Sequence, residues 1–222
     1  MSHTVSLTLL VLLAGCNNIN HTSNFSATEK EATSKTLRHQ NLVRQSLPFN
    51  DDVDFKLAEK DLIKQPEQLE ILDDNGNVMW RLANYNFLTI QAYHSRINPN
   101  LERQARFNMS YGLYQVTERF YQVSGYDLSN ISFIKDDTSW IIFDPLLTPA
   151  TSKAAFALVT QELGKFPVRA VVYSHAYVVH FDDVKSEVSQ EQVDSGAVQI
   201  IVPKDFMEHA IKEIDGRLYL LV

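Results

Sequence analysis

One cysteine, Cys16, stands among 222 residues, so an intramolecular disulfide is excluded. Clustered basic charge is missing as well. The 20 Lys and Arg are scattered among 27 Asp and Glu, for a formal net charge of −7. A nucleic-acid groove needs a concentrated basic footprint, so nucleic acid is excluded as a partner. The apolar run Leu7 to Ala14 falls far short of the ~20 residues that span a bilayer. No internal repeat is visible. What the chain does have is 45% apolar and 10% aromatic residues, enough for a true core and too much for global disorder. The length suits one large domain, or one domain with an N-terminal extension.

The short apolar run suits the core of a signal peptide. It ends Leu13-Ala14-Gly15-Cys16, which resembles a bacterial lipobox, although no Lys or Arg precedes it, only His3. That resemblance implies a signal peptide over residues 1–16, lipidation at Cys16 and a lipid anchor to a membrane. The expected location is exported, periplasmic or membrane-anchored, as a lipoprotein; an ordinary signal peptide is the alternative. Residues 17–46 are polar, rich in Asn, Ser and Thr, and lack a sustained apolar period. They read as a tether.

From Leu47 the pattern becomes structural. Asp52 is placed to cap a helix carrying Phe55, Leu57, Ala58, Leu62 and Ile63 and ending before Pro66. Residues 69–72 and 78–80 flank Asp73-Asp74-Asn75-Gly76 and read as a β-hairpin. Helical patterns follow near 84–94 and 99–108, completing an N-terminal arm over 47–110. Four strands are predicted at 113–116, 120–123, 131–134 and 140–143. Thr148 then caps a helix with Pro149 at its first position and Gly164 at its end. A buried strand, 168–173, runs into Ser174-His175. Beyond it come a polar helix near 183–194, a strand at 198–202, a helix at 203–214 and an apolar end at 218–222. Strands grouped first and then alternating with helices predict a mixed α/β layered fold over 111–222.

The sharpest chemical feature is V-V-Y-S-His175-A-Y-V-V-His180-F-D-D. Two histidines five apart after a buried strand, with Asp182 and Asp183 nearby, offer nitrogen and oxygen donors to zinc. The alternative is a strand-end histidine held by hydrogen bonds. Asp144, in F-D-P-L, reads either as a turn residue before Pro145 or as a carboxylate orienting a ligand. His209 is expected to be solvated on its helix.

Several phrases occur together and in order: G-L-Y-Q-V (112–116), Y-Q-V-S-G-Y-D-L-S-N-I-S-F-I (121–134), W-I-I-F-D-P-L (140–146), V-V-Y-S-H (171–175) and P-K-D-F-M-E-H-A (203–210). Upstream stand L-P-F-N-D-D-V-D-F (47–55), N-V-M-W-R-L (77–82) and I-N-P-N-L-E-R-Q-A-R-F-N (97–108). Together they resemble the linear alkylsulfatases of the metallo-β-lactamase superfamily, over nearly everything after the tether. The resemblance implies a partial αββα sandwich behind a helical and hairpin arm, two zinc ions, hydrolysis of alkyl sulfate esters, and a homodimer formed through the arm.

In that family the loop is T-H-S-H-x-D-H-F-G-G, which supplies two ligands to each of two ions. The resemblance carries metal ligation over to His175 and His180 and places Asp144 near the metal. Tyr177 stands where the second His belongs and Val179 where the Asp belongs. Valine has no donor atom, and a neutral phenol with a pKa near ~10 is a poor zinc ligand. The family's remaining ligands lie well downstream of the loop and are expected to be absent here, and Gly216 to Val222 fit the family poorly. Truncated, catalytically impaired alkylsulfatase chemistry is therefore the expectation. Two alternatives remain: a zinc site rebuilt by Asp182, Asp183 or a partner, and a non-catalytic lipoprotein that binds amphiphiles or pairs with a full-length sulfatase subunit.

Overall fold

A computed structural model describes residues 31–67, 69–89, 94–177, 180 and 187–212. Cys16, Val179, Asp182 and Asp183 lie outside the described residues, as do the apolar end at 218–222 and part of the polar helix expected near 183–194. No helix among the described residues is long and apolar enough to cross a membrane.

The centre is a seven-stranded sheet in the order β1-β4-β5-β6-β7-β8-β9. Its strands are β1 (Leu62–Lys64), β4 (Gly112–Thr117), β5 (Phe120–Ser124), β6 (Ile131–Lys135), β7 (Trp140–Phe143), β8 (Val168–Val172) and β9 (Gln199–Ile201). A separate hairpin pairs β2 (Glu70–Leu72) with β3 (Val78–Arg81). In β5 the burial alternates, with Tyr121 and Val123 facing inward, as a period of two requires. Pairing is antiparallel from β1 through β7, then parallel for β7–β8 and β8–β9.

The change to parallel pairing forces a crossover, supplied by α4 (Pro149–Leu163). Thr148 accepts from the backbone N–H of Thr151, Pro149 opens the helix, and Gly164 ends it at φ +101°. This is the helix predicted from the sequence. Its Ala155, Leu158 and Val159 join Phe133, Trp140 and Ile142 in the core. Trp140 is fully buried, with Tyr121, Phe133 and Phe166 edge-on to its ring at 5.9–6.2 Å between centroids. The start of α4 is pinned by the buried Asp127, whose carboxylate accepts from Leu147 N–H at 3.1 Å and Thr151 Oγ1 at 2.7 Å.

The tether and the arm depart from expectation in three places. The tether was expected to lack regular structure, but its last part forms α1 (Ser34–Ser46), capped by Thr33 and burying Gln40. That helix relies on its cap and on contact with α3 (Pro99–Phe107) rather than on an apolar stripe. The helix expected to carry Leu62 and Ile63 stops early as α2 (Val53–Ala58). Asp61 turns the chain at φ +58°, and Leu62 then pairs with Tyr114 as the sheet's edge strand. The stretch expected to be helical near 84–94 is a 3-10 helix over Leu82–Thr89, with residues 90–93 outside the described set.

The arm is tied together by charge and stacking. Arg103 lies over the stacked rings of Phe55 and Phe107 at 4.9 and 4.7 Å. Glu102 is buried and accepts from Arg106 at 2.8 Å, and it lies 3.0 Å from His94 Nδ1. Burial pushes the Glu102 carboxyl up, but the hydrogen bonds from His94 and Arg106 outweigh it and hold the group below its ordinary range.

Candidate metal centre

Open sheets gather functional groups at the carboxyl ends of parallel strands, where loops diverge and leave a crevice. Asp144 follows β7 directly and Ser174-His175 follow β8. The ladder continues to the site itself: Asp144 N–H donates to Val172 O at 3.0 Å and Tyr173 N–H to Ile201 O at 2.9 Å. Both loop origins are therefore anchored in the sheet.

Asp144 turns the chain at φ +50°, a region that Asp tolerates better than most residues. Its carboxylate then spans the gap to the next strand. One oxygen accepts from Ser174 N–H at 2.7 Å and the other from Ser174 Oγ at 2.6 Å. Asp144 is thus at a turn, one of its two readings, and its carboxylate is bound by Ser174.

The Ser174 hydroxyl also lies 2.7 Å from His175 Nδ1. Since that hydroxyl donates to Asp144, it accepts from Nδ1–H of His175, which leaves Nε2 as the ring nitrogen not engaged by Ser174. His180 completes the group. Its backbone N–H donates to Tyr177 O at 2.9 Å, its ring centroid lies 4.2 Å from that of His175, and its Nδ1 lies 3.5 Å from Asp144 Oδ2. Asp144, His175 and His180 each bring one ligand atom into a group within 4.8 Å of one another, and all three are partly buried. These donors could hold a metal ion.

Tyr177 occupies the mouth. Its ring stands edge-on to His175 at 5.0 Å, and the residue is 62% exposed. Beside it opens a cleft of about 510 Å³ lined by Ser174, His175, Tyr177, Lys204, Phe206 and His209, among others. Sequence reading expected His209 to be solvated. It is exposed, as expected, but it also faces this cleft, because the helical residues 206–212 follow β9 at the same end of the sheet. Only the pairing of β9 with β8 brings His209 near His175, and no local spacing encodes that. A larger cleft of about 740 Å³, between the arm and β4–β5, contains none of the three donors.

No family model matches the chain. The linear primary-alkylsulfatase of a Pseudomonas species is 36% identical over 91% of this chain and 30% of its own length. Alkyl/aryl-sulfatase BDS1 of Saccharomyces cerevisiae is 38% identical over 83% of this chain and 28% of its own length. The solved structure of the stereoselective inverting sec-alkylsulfatase Pisa1 from Pseudomonas sp. superposes with a TM-score of 0.79 at 36% identity, covering 83% of this chain and 29% of that one. The chain is homologous to these alkylsulfatases over 83–91% of its length. It spans under a third of the length of these alkylsulfatase relatives, and its mixed α/β fold is theirs.

Proposed function

We propose that this chain retains the alkylsulfatase family's substrate end and is impaired in its hydrolysis. The substrate class comes from the relatives, which are named as alkylsulfatases. The cleft supports it by joining polar groups suited to a sulfate head, Lys204, His209 and Ser174, with apolar walls at Tyr177 and Phe206. A zinc ion bound at such a site supplies a water of lowered pKa. The observation that carries the impaired reading is Tyr177, an exposed phenol edge-on to His175 at the loop position where the family places a histidine.

The test is sulfate release from dodecyl sulfate in excess zinc, comparing the natural chain with Tyr177→His, Val179→Asp. The double variant is expected to be faster by at least ~10-fold, since it restores the two donors that the family's paired-ion loop has at these positions. Equal rates would remove Tyr177 and Val179 as the cause.

Export with lipid attachment at Cys16 completes the proposal and rests on the N-terminal sequence alone. Labelling of the protein by a palmitate analogue, abolished by Cys16→Ser, is its expected signature. A homodimer through the arm is also proposed, and sedimentation at micromolar concentration tests it.

A further inference from the structure

The paired-ion centre implied by the family does not fit this loop. Two of its four loop positions hold Tyr177 and Val179, and neither offers the donor that position supplies. The donors that do converge form a different set. We infer that the site is mononuclear, with Asp144 as a direct ligand beside His175 and His180, in place of its expected role as an orienting carboxylate. The inference rests on the assignment of this loop as the family's metal loop, but not on any turnover of alkyl sulfates.

Geometry supports Asp144 as a ligand. Two zinc bonds of about 2.0–2.1 Å at a tetrahedral angle place their donor atoms about 3.3 Å apart. His180 Nδ1 and Asp144 Oδ2 are 3.5 Å apart, the separation of two ligands on one ion. His175 completes the set within 4.8 Å through a short side-chain adjustment. Ser174 is the positioning residue: its hydroxyl holds the Asp144 carboxylate and the Nδ1 edge of His175 together, so Nε2 of His175 is the nitrogen left to ligate. Two imidazoles and one carboxylate form a three-ligand set, which leaves the fourth position of a tetrahedral ion open. His175 of this set also lines the cleft beside Tyr177. Such a set suits zinc, and equally the other divalent ions that imidazole and carboxylate accept.

Equilibrium dialysis of the full chain against Zn²⁺ and, separately, Co²⁺, with metal counted per chain, tests this without substrate. One equivalent is expected. Asp144→Asn retains a residue that tolerates positive φ and an oxygen for Ser174 N–H, and it is expected to weaken binding at least ~10-fold, as is His175→Gln. Tyr177→Phe is expected to leave affinity and count unchanged. Two equivalents, no binding by the natural chain, or full affinity in Asp144→Asn would each overturn the inference. If Asp144→Asn does not fold, as judged by its thermal transition, the count and His175→Gln decide. A chain that binds one ion and releases no sulfate leaves this inference standing while the hydrolytic reading fails, so the two are separable.

Discussion

Ser174 holds both oxygens of Asp144 at once, its backbone N–H on Oδ1 at 2.7 Å and its hydroxyl on Oδ2 at 2.6 Å. This double link joins the end of β7 to the first turn after β8. Removing it affects stability as well as ligation. Asp144→Ala loses both bonds and places a Cβ-bearing apolar residue at φ +50°. It is expected to cost about 2–4 kcal/mol, and Asp144→Asn, which keeps one acceptor, about half of that. Urea unfolding at neutral pH in the presence of a chelator checks the order. Equal costs for the two variants would mean that the carboxylate does little to hold β7 to β8.

Trp140 sets the core under α4. Trp140→Ala is expected to lose about 3–5 kcal/mol, because a fully buried ring surrounded by three other aromatic rings leaves a cavity that the sheet cannot close. Its indole N–H is buried without a hydrogen-bond partner among the described residues, so Trp140→Phe relieves one cost while creating a smaller void. The Phe variant is expected to lose less than half as much. Thermal unfolding of the two variants distinguishes ring packing from the polar edge.

The arm carries a pH dependence with a defined sign. Glu102 titrates below its ordinary value of 4.5 in the folded chain. Its contribution is therefore fully present above that value and is lost as pH falls through the lower folded value. Asp52 and Asp73 are shifted the same way by side-chain hydrogen bonds from Lys56 and Asn77, so the informative quantity is a difference. Stability of the natural chain is expected to fall more steeply below pH 4.5 than that of Glu102→Gln. Parallel curves would show that His94 and Arg106 do not favour the charged Glu102. Near neutral pH Glu102→Gln is also expected to be weaker by about 1–3 kcal/mol, since it weakens the charge-assisted hydrogen bond from Arg106.

Gly125 is required at a close approach to Tyr111, just before β4. A Cβ there would lie 2.4 Å from Tyr111 Cβ, and the residue sits at φ +78°. Its carbonyl also accepts the Trp80 indole N–H at 2.7 Å. Gly125→Ala is expected to destabilise by more than about 2 kcal/mol, with the strain and the clash acting together. Gly76→Ala, at φ +83° in the hairpin turn, where an added Cβ would meet nothing within 4 Å among the described residues beyond its chain neighbours, carries the strain alone and is expected to cost about 1 kcal/mol. Denaturant midpoints of the pair separate the two effects.

Local chemistry explains which elements the sequence reveals. Thr148, Pro149 and Gly164 mark both ends of α4, and Asn75-Gly76 marks the hairpin, where the Asp73 side chain accepts from the backbone N–H groups of Asn75 and Asn77. The β4–β7 strands alternate or run apolar as a half-buried sheet must. The failures are tertiary. Leu62 and Ile63 continue a helical period, but Asp61 breaks it and the free edge of β4 claims them as a strand. In α1 a polar sequence gains its helix from a Thr33 cap and contact with α3. At the site, His175 and His180 are legible because one loop holds both. Asp144 as a converging donor and His209 as a cleft residue depend on parallel pairing of β7, β8 and β9. Those contacts join residues about 30 positions apart, beyond the reach of any local pattern.

The most direct measurement of the one-ion centre is anomalous scattering at the zinc edge from crystals of the full chain grown with zinc. A single peak is expected, about 2.0–2.2 Å from His175 Nε2, a ring nitrogen of His180 and a carboxylate oxygen of Asp144. Two peaks bridged within this loop, or one peak that leaves Asp144 uncoordinated, would contradict it.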